Sequence, residues 1–298
     1  MNEPAAVDLR TRKIGAVLNT ASGSCTNESV PEMEAIFQTY GLKPVRIWCG
    51  DSNELPAAFA EVEKRDLDVL VVLGGDGTIR SAAELCTADG PLLIPLPGGT
   101  MNILPRALYG GGTWQEILGR VLANPVTKQV SGGEVAGHRF FISAICGAPA
   151  LWADAREALR AGDIKGVVEY GKVAMSRMFA EKIHYRFNDA TEGDVEALTV
   201  TCPLVSSGLA DDREVFEAAV IDVNDAGEVF ALATAAAFKG WREAKRVEVI
   251  RTKKVVVSSD RDVPIILDGE TVEVGREVSI EFLSIAFTAL VPHDEVLS

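Results

Sequence analysis

Apolar and polar positions along the first third of the chain form blocks that predict strands and helices in alternation. The segment Leu67–Leu73 (LDVLVVL) is almost entirely apolar, which is typical of a strand buried on both faces of a parallel sheet. Further strands are predicted at Lys13–Asn19, Lys43–Trp48 and Leu92–Leu96, and helices at Val30–Tyr40, Asn53–Arg65 and Thr78–Cys86. Strands that alternate with helices predict a parallel α/β sheet with right-handed crossovers.

The pattern changes near Val126, just beyond the turn signal Asn124-Pro125. Short β-like segments separated by turn residues then predict a mostly antiparallel β domain. The predicted strands include Gly133–Val135, Arg139–Ile145, Ala197–Thr201, Val247–Ile250, Lys254–Val257 and Pro264–Leu267, and helical stretches are predicted at Leu151–Met178 and Gly227–Phe238. We therefore expect one domain over residues 1–125 and a second over residues 126–298, whose C-terminal segment is a candidate to pack back on the first.

Composition and charge narrow the classes of function. Hydrophobic residues make up 47% of the chain and charged residues 24%, which is a globular balance. A net charge of −14 argues against a general nucleic-acid binder, which presents a basic face to phosphates. The segment Phe238–Lys254 departs from this acidity with seven basic residues against two acidic ones. It is either a surface for transient contact with anionic lipid head groups or an ordinary solvated face.

The cysteines and the hydropathy of the chain help to predict the cellular compartment of the protein. Five scattered cysteines without a CxxC pair, and three histidines far apart in sequence, argue against a disulfide framework and a zinc site. The N-terminus lacks the apolar core of a signal peptide, and no apolar run reaches the roughly 20 residues that span a bilayer. We therefore expect a cytoplasmic protein that meets any lipid substrate from the water side, peripherally at the inner membrane surface.

The segment Gly74-Gly75-Asp76-Gly77-Thr78 follows a predicted strand and opens a predicted helix. Glycines allow a tight turn and close approach to a ligand, and backbone N–H groups at such a turn and helix start bind phosphate. Asp76 would repel phosphate unless a cation intervenes, so it indicates Mg²⁺ or proton chemistry. In the alternative interpretation, Asp76 only caps the helix. The segment is neither a P-loop nor a dinucleotide fingerprint.

Two more polar, glycine-containing loops follow predicted strands, at Asn19–Ser24 and Pro95–Asn102. Loops at the carboxyl ends of neighbouring parallel strands share one edge of the sheet, where ligands bind. Three such loops predict a nucleotide site. Its candidate binding residues are Asn19, Ser22, Gly74, Gly75, Asp76, Gly77, Thr78, Gly99, Thr100 and Asn102.

These motifs, with Leu267-Asp268-Gly269-Glu270 far downstream, resemble the diacylglycerol kinase catalytic-domain family, which includes bacterial soluble lipid kinases and sphingosine kinases. The resemblance implies an α/β nucleotide-binding domain followed by a β-sandwich domain for the lipid substrate, with ATP in the cleft between them. By the same resemblance, Asp76 and the surrounding glycines hold the ATP phosphates and Mg²⁺. Glu270 would be the base that accepts the proton of the lipid hydroxyl, with Asp268 beside it. Asp76 and Asp268 stay open as alternative bases, and a simple β-turn is the alternative for Asp268–Glu270.

The chain departs from the family pattern at a few positions. Thr20-Ala21 replaces the usual Pro-x of the first loop, and Arg80 stands where the family often has Asn. Some relatives hold a structural magnesium in the second domain, for which Asp211 and Asp212, with Glu217, are the nearest candidates. An NAD kinase shares the Gly-Gly-Asp-Gly loop and is the rival enzyme, and a non-catalytic nucleotide- or lipid-binding regulator is the rival of another class. The motifs leave the lipid and the oligomeric state open.

Overall fold

The computed structural model describes residues 6–26, 28–147, 150, 182–188, 191–209, 214–221 and 247–293. The two predicted helical stretches, Leu151–Met178 and Gly227–Phe238, lie outside the described residues. The chain divides into two compact units. Unit 1 comprises residues 1–131 and 284–298, and unit 2 comprises residues 132–283.

Unit 1 carries the predicted parallel α/β sheet. Its elements are β1 Ile14–Asn19, α1 Ser29–Thr39, β2 Arg46–Gly50, α2 Leu55–Glu63, β3 Val69–Gly74, α3 Asp76–Leu85, β4 Leu92–Pro97, α4 Ile103–Tyr109 and α5 Trp114–Ala123. The four strands are parallel in the order β2-β1-β3-β4. This confirms the predicted fold class, with bounds that differ from the expected ones by a few residues.

The central strands of unit 1 are apolar at nearly every position because both of their faces are covered. Every residue of β1 and of β3 is buried. Helix α1 buries Met33 and Phe37, which are four positions apart and therefore share one helix face. Helix α5 begins with a capping box in which Thr113 and Glu116 satisfy each other's backbone N–H groups. Local sequence signals and burial thus agree in β1, β3, α1 and α5.

Antiparallel strands make up unit 2. The second half of the chain contains β5 Pro125–Val135, β6 His138–Phe140, β7 Ser143–Gly147, β8 Ile183–Phe187, β9 Thr191–Val195, β10 Ala197–Thr201, β11 Phe216–Ile221, β12 Val247–Thr252, β13 Lys254–Ser258, β14 Ile265–Leu267, β15 Glu270–Val272 and β16 Glu277–Pro292. One antiparallel sheet has the order β12-β11-β10-β7-β14-β15. The other contains β16, β13, β8 and β9, together with the β5–β6 hairpin.

The two sheets of unit 2 share one hydrophobic core, as the predicted β-sandwich requires. Aromatic rings join them: Phe216 lies 5.7 Å from the ring of Phe140 and 5.1 Å from that of Phe282, centroid to centroid. The single strand expected over Arg139–Ile145 is wrong, because the structure has β6 and β7 with a break between them. The break has a physical cause, since the backbone N–H groups of Phe141 and Ile142 bond to a side chain rather than to a neighbouring strand.

Strands β5 and β16 each begin in one unit and end in the other. The end of β16 lies in unit 1 and pairs in parallel with β4, where Ala289 stands opposite Leu93. The hydroxyl group of Tyr109 donates a 3.0 Å hydrogen bond to the carbonyl of Leu290. Burial raises the pKa of Tyr109 well above its ordinary value, so this hydroxyl stays a donor. Among the described residues, no helix combines the length and the apolar character needed to cross a bilayer.

Candidate functional site

The strand order of unit 1 creates a topological switch point at one edge of its sheet. Strand β1 lies between β2 and β3, so the chain leaves β1 towards one side and later returns on the other. In parallel sheets, ligands bind outside the carboxyl ends of the strands at such a switch point. Asn19 ends β1 and Gly74 ends β3, so the first and second predicted loops both begin at this place.

The loop after β1 is hydrogen-bonded to each of its neighbours. Asn19 donates from Nδ2 to the hydroxyl of Thr78 at 2.9 Å, and its Oδ1 accepts from the backbone N–H of Ala21 at 3.0 Å. The N–H of Thr20 donates to the carbonyl of Gly50 at the end of β2. The N–H of Ser24 donates to the carbonyl of Gly98 in the third loop. The structure therefore brings the three predicted loops together.

Asp76 joins the second loop to the third. It is the first residue of α3, and its carboxylate accepts the backbone N–H groups of Asn102 at 2.9 Å and Ile103 at 2.7 Å. These are the first N–H groups of α4, which have no partner within that helix. Asn102, held in the left-handed region at φ 50°, closes its own loop by exchanging two hydrogen bonds with the backbone of Gly99. Asp76 therefore does cap a helix, but the helix is α4 and not α3, to which Asp76 itself belongs.

The glycines serve first to let two backbones approach each other. A Cβ atom at Gly98 would lie 2.8 Å from the backbone nitrogen of Gly74, and one at Gly99 would lie 2.8 Å from the Cα of Gly75. Real Cβ atoms essentially never come so close. The sequence interpretation assigned these glycines to ligand approach and missed their role in packing one loop on another.

Ser22 has an unusual position among the predicted residues. Its side chain is buried, and within the described part of the chain its hydroxyl group has no hydrogen-bond partner. A buried polar group without a partner costs free energy, so its persistence calls for an explanation. Gly77 and Thr100 are exposed at the same loops, and Thr78 is buried beneath them. A ligand that accepts a hydrogen bond from Ser22 would remove the deficit.

A cleft of ≈ 530 Å³ opens beside the first loop, along β2 and α2. Gly50, whose carbonyl accepts the N–H of Thr20 in the first loop, and Trp48 both line the cleft. The guanidinium group of Arg65 lies over that ring, 5.7 Å from its centroid. No local sequence pattern predicts this cleft, because its lining residues come from separate elements.

The Asp-Gly-Glu motif of unit 2 lies on the hairpin that joins β14 to β15. Asp268 and Gly269 form a two-residue turn with φ of 51° and 94°, and Glu270 is exposed at the start of β15. The Asp268 carboxylate accepts three backbone N–H groups, from Phe141 at 2.8 Å and from Ile142 and Ser143 at 2.9 Å each. The motif is therefore a β-turn, as the alternative interpretation held, with an additional set of hydrogen bonds.

Other predicted positions fall elsewhere. Asp211 and Asp212 lie outside the described residues, as do the basic residues Lys239, Arg242, Lys245 and Arg246. Glu217 is buried in β11, where it accepts a hydrogen bond from the hydroxyl of Ser206. Across the part of the chain that the structure describes, no group of three or more His, Cys, Asp or Glu side chains is placed to hold a metal ion by itself.

Comparison with solved structures identifies the fold. The chain resembles a diacylglycerol kinase from Bacillus anthracis strain Sterne, with a TM-score of 0.67 and 15% identity over 94% of this chain and 97% of that one. It also resembles an NAD kinase from Archaeoglobus fulgidus solved in complex with ATP, with a TM-score of 0.54 and 13% identity over 95% of each chain. At such identities the likeness shows the fold alone.

Sequence comparison finds two partial matches to kinases. NAD kinase 1 of Gloeobacter violaceus is 31% identical over 88 residues, a stretch that covers only 28% of this chain and 28% of that protein. Residues 13–135 match the sequence model of the diacylglycerol kinase catalytic domain. This stretch contains all three loops of the candidate site. This match agrees with the resemblance that the motifs carry.

Proposed function

We propose that this protein transfers the γ-phosphoryl group of ATP to the hydroxyl group of a diacylglycerol-like lipid. The observation that carries the proposal is the set of three loops at the carboxyl edge of the unit 1 sheet, held together by Asp76 and Asn19. The family match over residues 13–135 supports a phosphotransferase. The ATP bound to the NAD kinase of similar fold supports ATP as the phosphoryl donor.

The loops offer the donors that phosphate oxygens require. Because Asp76 already occupies the first N–H groups of α4, the first turn of α3 at Gly77 and Thr78 is the helix start that we assign to the phosphates. The buried hydroxyl of Ser22 is assigned as a further donor, because nothing in the described part of the protein receives its hydrogen bond. The hydroxyl of Thr100, which is exposed on the loop after β4, is assigned as another donor to the phosphates.

The donor set fits Mg²⁺ delivered with the nucleotide. Proteins that use Mg²⁺-ATP supply one or two carboxylates and leave the other positions to phosphates and water. Asp76 suits this role, because each of its oxygens accepts one N–H group and a carboxylate offers about four acceptor sites in all. When bound, the ion would neutralise charge on the phosphoryl group during transfer.

Glu270 is the proposed proton acceptor. The lipid hydroxyl gives its proton to the Glu270 carboxylate while its oxygen forms a bond to the γ-phosphorus, and the bond to the bridging oxygen of ADP breaks. Glu270 is exposed at the end of the hairpin. The carboxylate of Asp268 accepts three backbone N–H groups, with which a proton from the lipid would have to compete. We therefore assign the role of base to Glu270.

A second candidate, phosphorylation of NAD, is favoured by the 31% identity to an NAD kinase over 88 residues. The family match and the higher TM-score favour the lipid. An assay with γ-labelled ATP, run in parallel with diacylglycerol in mixed micelles, other lipid alcohols and NAD, separates the two. Label in diacylglycerol or a related lipid supports the proposal. Label in NAD alone, or in no acceptor, overturns it.

A further inference from the structure

We propose that Asp268 is a positioning residue: its carboxylate ties the β14–β15 hairpin to the segment before β7 and so fixes the place of Glu270. This inference rests on the proposed function, in which Glu270 accepts the proton. It separates the two acids of the Asp-Gly-Glu motif. One touches the reacting hydroxyl, and the other acts only through the backbone.

Four hydrogen bonds join the turn to residues 141–143. The Asp268 carboxylate accepts the N–H groups of Phe141, Ile142 and Ser143, and the N–H of Asp268 donates to the carbonyl of Ser143 at 2.9 Å. The β14–β7 ladder stops one residue earlier, at Leu267 opposite Ala144. Asp268 thus extends the attachment of the hairpin beyond the end of its strand pairing, up to the residue before Gly269.

The protein contains a second hairpin that shows what the turn itself requires. Ala136 and Gly137 join β5 to β6 in a two-residue turn with φ of 49° and 83°, close to the 51° and 94° of Asp268 and Gly269. An alanine therefore suffices for this backbone geometry. The carboxylate at position 268 is not needed to make the turn, so the hydrogen bonds to residues 141–143 are its distinct contribution.

The short length of the hairpin makes such an anchor consequential. Strands β14 and β15 have three residues each, and β15 is the last strand of its sheet. Among the described strands β15 pairs with β14, and Glu270 stands opposite Leu267 directly after the two-residue turn. A base displaced by about 1 Å can lose about 10²-fold in rate. The anchor is therefore expected to matter for turnover more than for substrate binding.

A graded series of variants in the full-length protein tests this. Asp268→Asn keeps the preferred Asn-Gly turn but replaces one acceptor oxygen with an NH₂ group. Asp268→Ala copies the Ala-Gly turn of the other hairpin and removes all acceptors. Turnover should fall in the order Asp, Asn, Ala, by about 10²-fold for Ala, while the ATP Kd stays within about twofold. Ala136→Asn is the matched control at an exposed turn and should leave turnover unchanged.

The decisive measurement is a double-mutant cycle with Glu270→Gln. If Asp268 acts through Glu270, Asp268→Asn lowers turnover in the wild type but has almost no further effect in the Glu270→Gln variant. Equal losses in both backgrounds, together with a lower Tm, would show a merely structural role and overturn the inference. Near-normal turnover of Asp268→Ala overturns it as well. Failure of the proposed function is a separate result, since the wild type itself would then phosphorylate no lipid.

Discussion

Asp76 in unit 1 and Asp268 in unit 2 are both catalytic candidates by sequence, and both accept backbone N–H groups from a distant loop. The Asp76 carboxylate accepts two N–H groups at the start of α4, and the Asp268 carboxylate accepts the N–H groups of residues 141–143, where β7 begins. Their surroundings differ. Asp76 belongs to three mutually bonded loops, whereas Asp268 anchors one short hairpin.

Under the proposed function, this difference predicts separate effects of substitutions on nucleotide binding and on turnover. In unit 1 a change at one loop is transmitted to the others, so nucleotide affinity and folding stability should fall together. In unit 2 the hairpin is a local element, so turnover should fall while nucleotide affinity and most of the stability remain. The following variants test that division, beginning with the largest expected effect.

Replacing the proposed base, Glu270, should have the largest effect. Glu270→Gln keeps the shape of the side chain and removes its basicity, so turnover should fall by about 10²–10⁴-fold. ATP affinity, measured by titration calorimetry, should stay close to that of the wild type. Glu273→Gln, at an exposed glutamate three residues later, is the control. Near-full turnover of Glu270→Gln would pass the role of base to Asp76 or Asp268.

Asp76→Asn should weaken nucleotide binding and stability together. The variant replaces two hydrogen bonds to a charged acceptor, each worth about 1.5–3 kcal/mol, and turns an NH₂ group towards a backbone N–H. Urea unfolding should show a loss of about 2 kcal/mol, and ATP affinity should fall about tenfold or more. Asp66→Asn, whose carboxylate forms an exposed ion pair with Lys13, is the control and should stay within about 0.5 kcal/mol. A stability equal to wild type would show that Asp76 does not hold the loops together.

Gly98→Ala tests whether loop packing depends on the missing side chain. Its Cβ would meet the backbone of Gly74 at 2.8–3.0 Å, so one of the loops must move. Overpacking of this kind costs about 1–3 kcal/mol, which should lower both the Tm and ATP affinity. Gly111→Ala, where a Cβ would meet nothing within 4 Å, is the control. If the two variants have the same Tm, the close approach of the loops does not contribute to the stability of the protein.

The smallest effect is expected at Ser22. Ser22→Ala removes a buried hydroxyl that has no partner in the described protein, so stability should stay equal or rise slightly. ATP affinity should fall by about 0.5–1.5 kcal/mol, the net value of one hydrogen bond. Ser24→Ala, in the same loop but exposed, serves for comparison. An unchanged ATP Kd would remove Ser22 from the binding site while leaving the rest of the comparison intact.

The sequence predicts the parallel sheet well because β1 and β3 are apolar at nearly every position. It does not reveal β9, Thr191–Val195 (TEGDV), an edge strand in which only Val195 is apolar and buried. Pairing with β8, rather than any local pattern, makes this segment a strand. Tertiary context decides such cases.

The candidate site, like the fold, could be predicted from the sequence only in part. The three loops could be predicted because each contains glycine and follows a predicted strand. The partners of the two aspartates could not, since Asp76 bonds to residues 26 and 27 positions away and Asp268 to residues 125 to 127 positions away. No spacing rule relates such positions, so only the folded chain shows that both carboxylates cap backbone N–H groups.

Strand β16 also determines when unit 1 can be completed during synthesis. Residues 284–298 belong to unit 1 but leave the ribosome after all of unit 2 has been made. Until then, the hydroxyl of Tyr109 lacks its acceptor, the carbonyl of Leu290, which lies 181 positions later. Strand β4 is paired with β3 but still lacks its second neighbour, β16. A nascent chain that ends before residue 284 should therefore hold an incomplete unit 1 and recruit chaperones that recognise exposed sheet edges. Translation pauses within residues 132–283 would prolong that state.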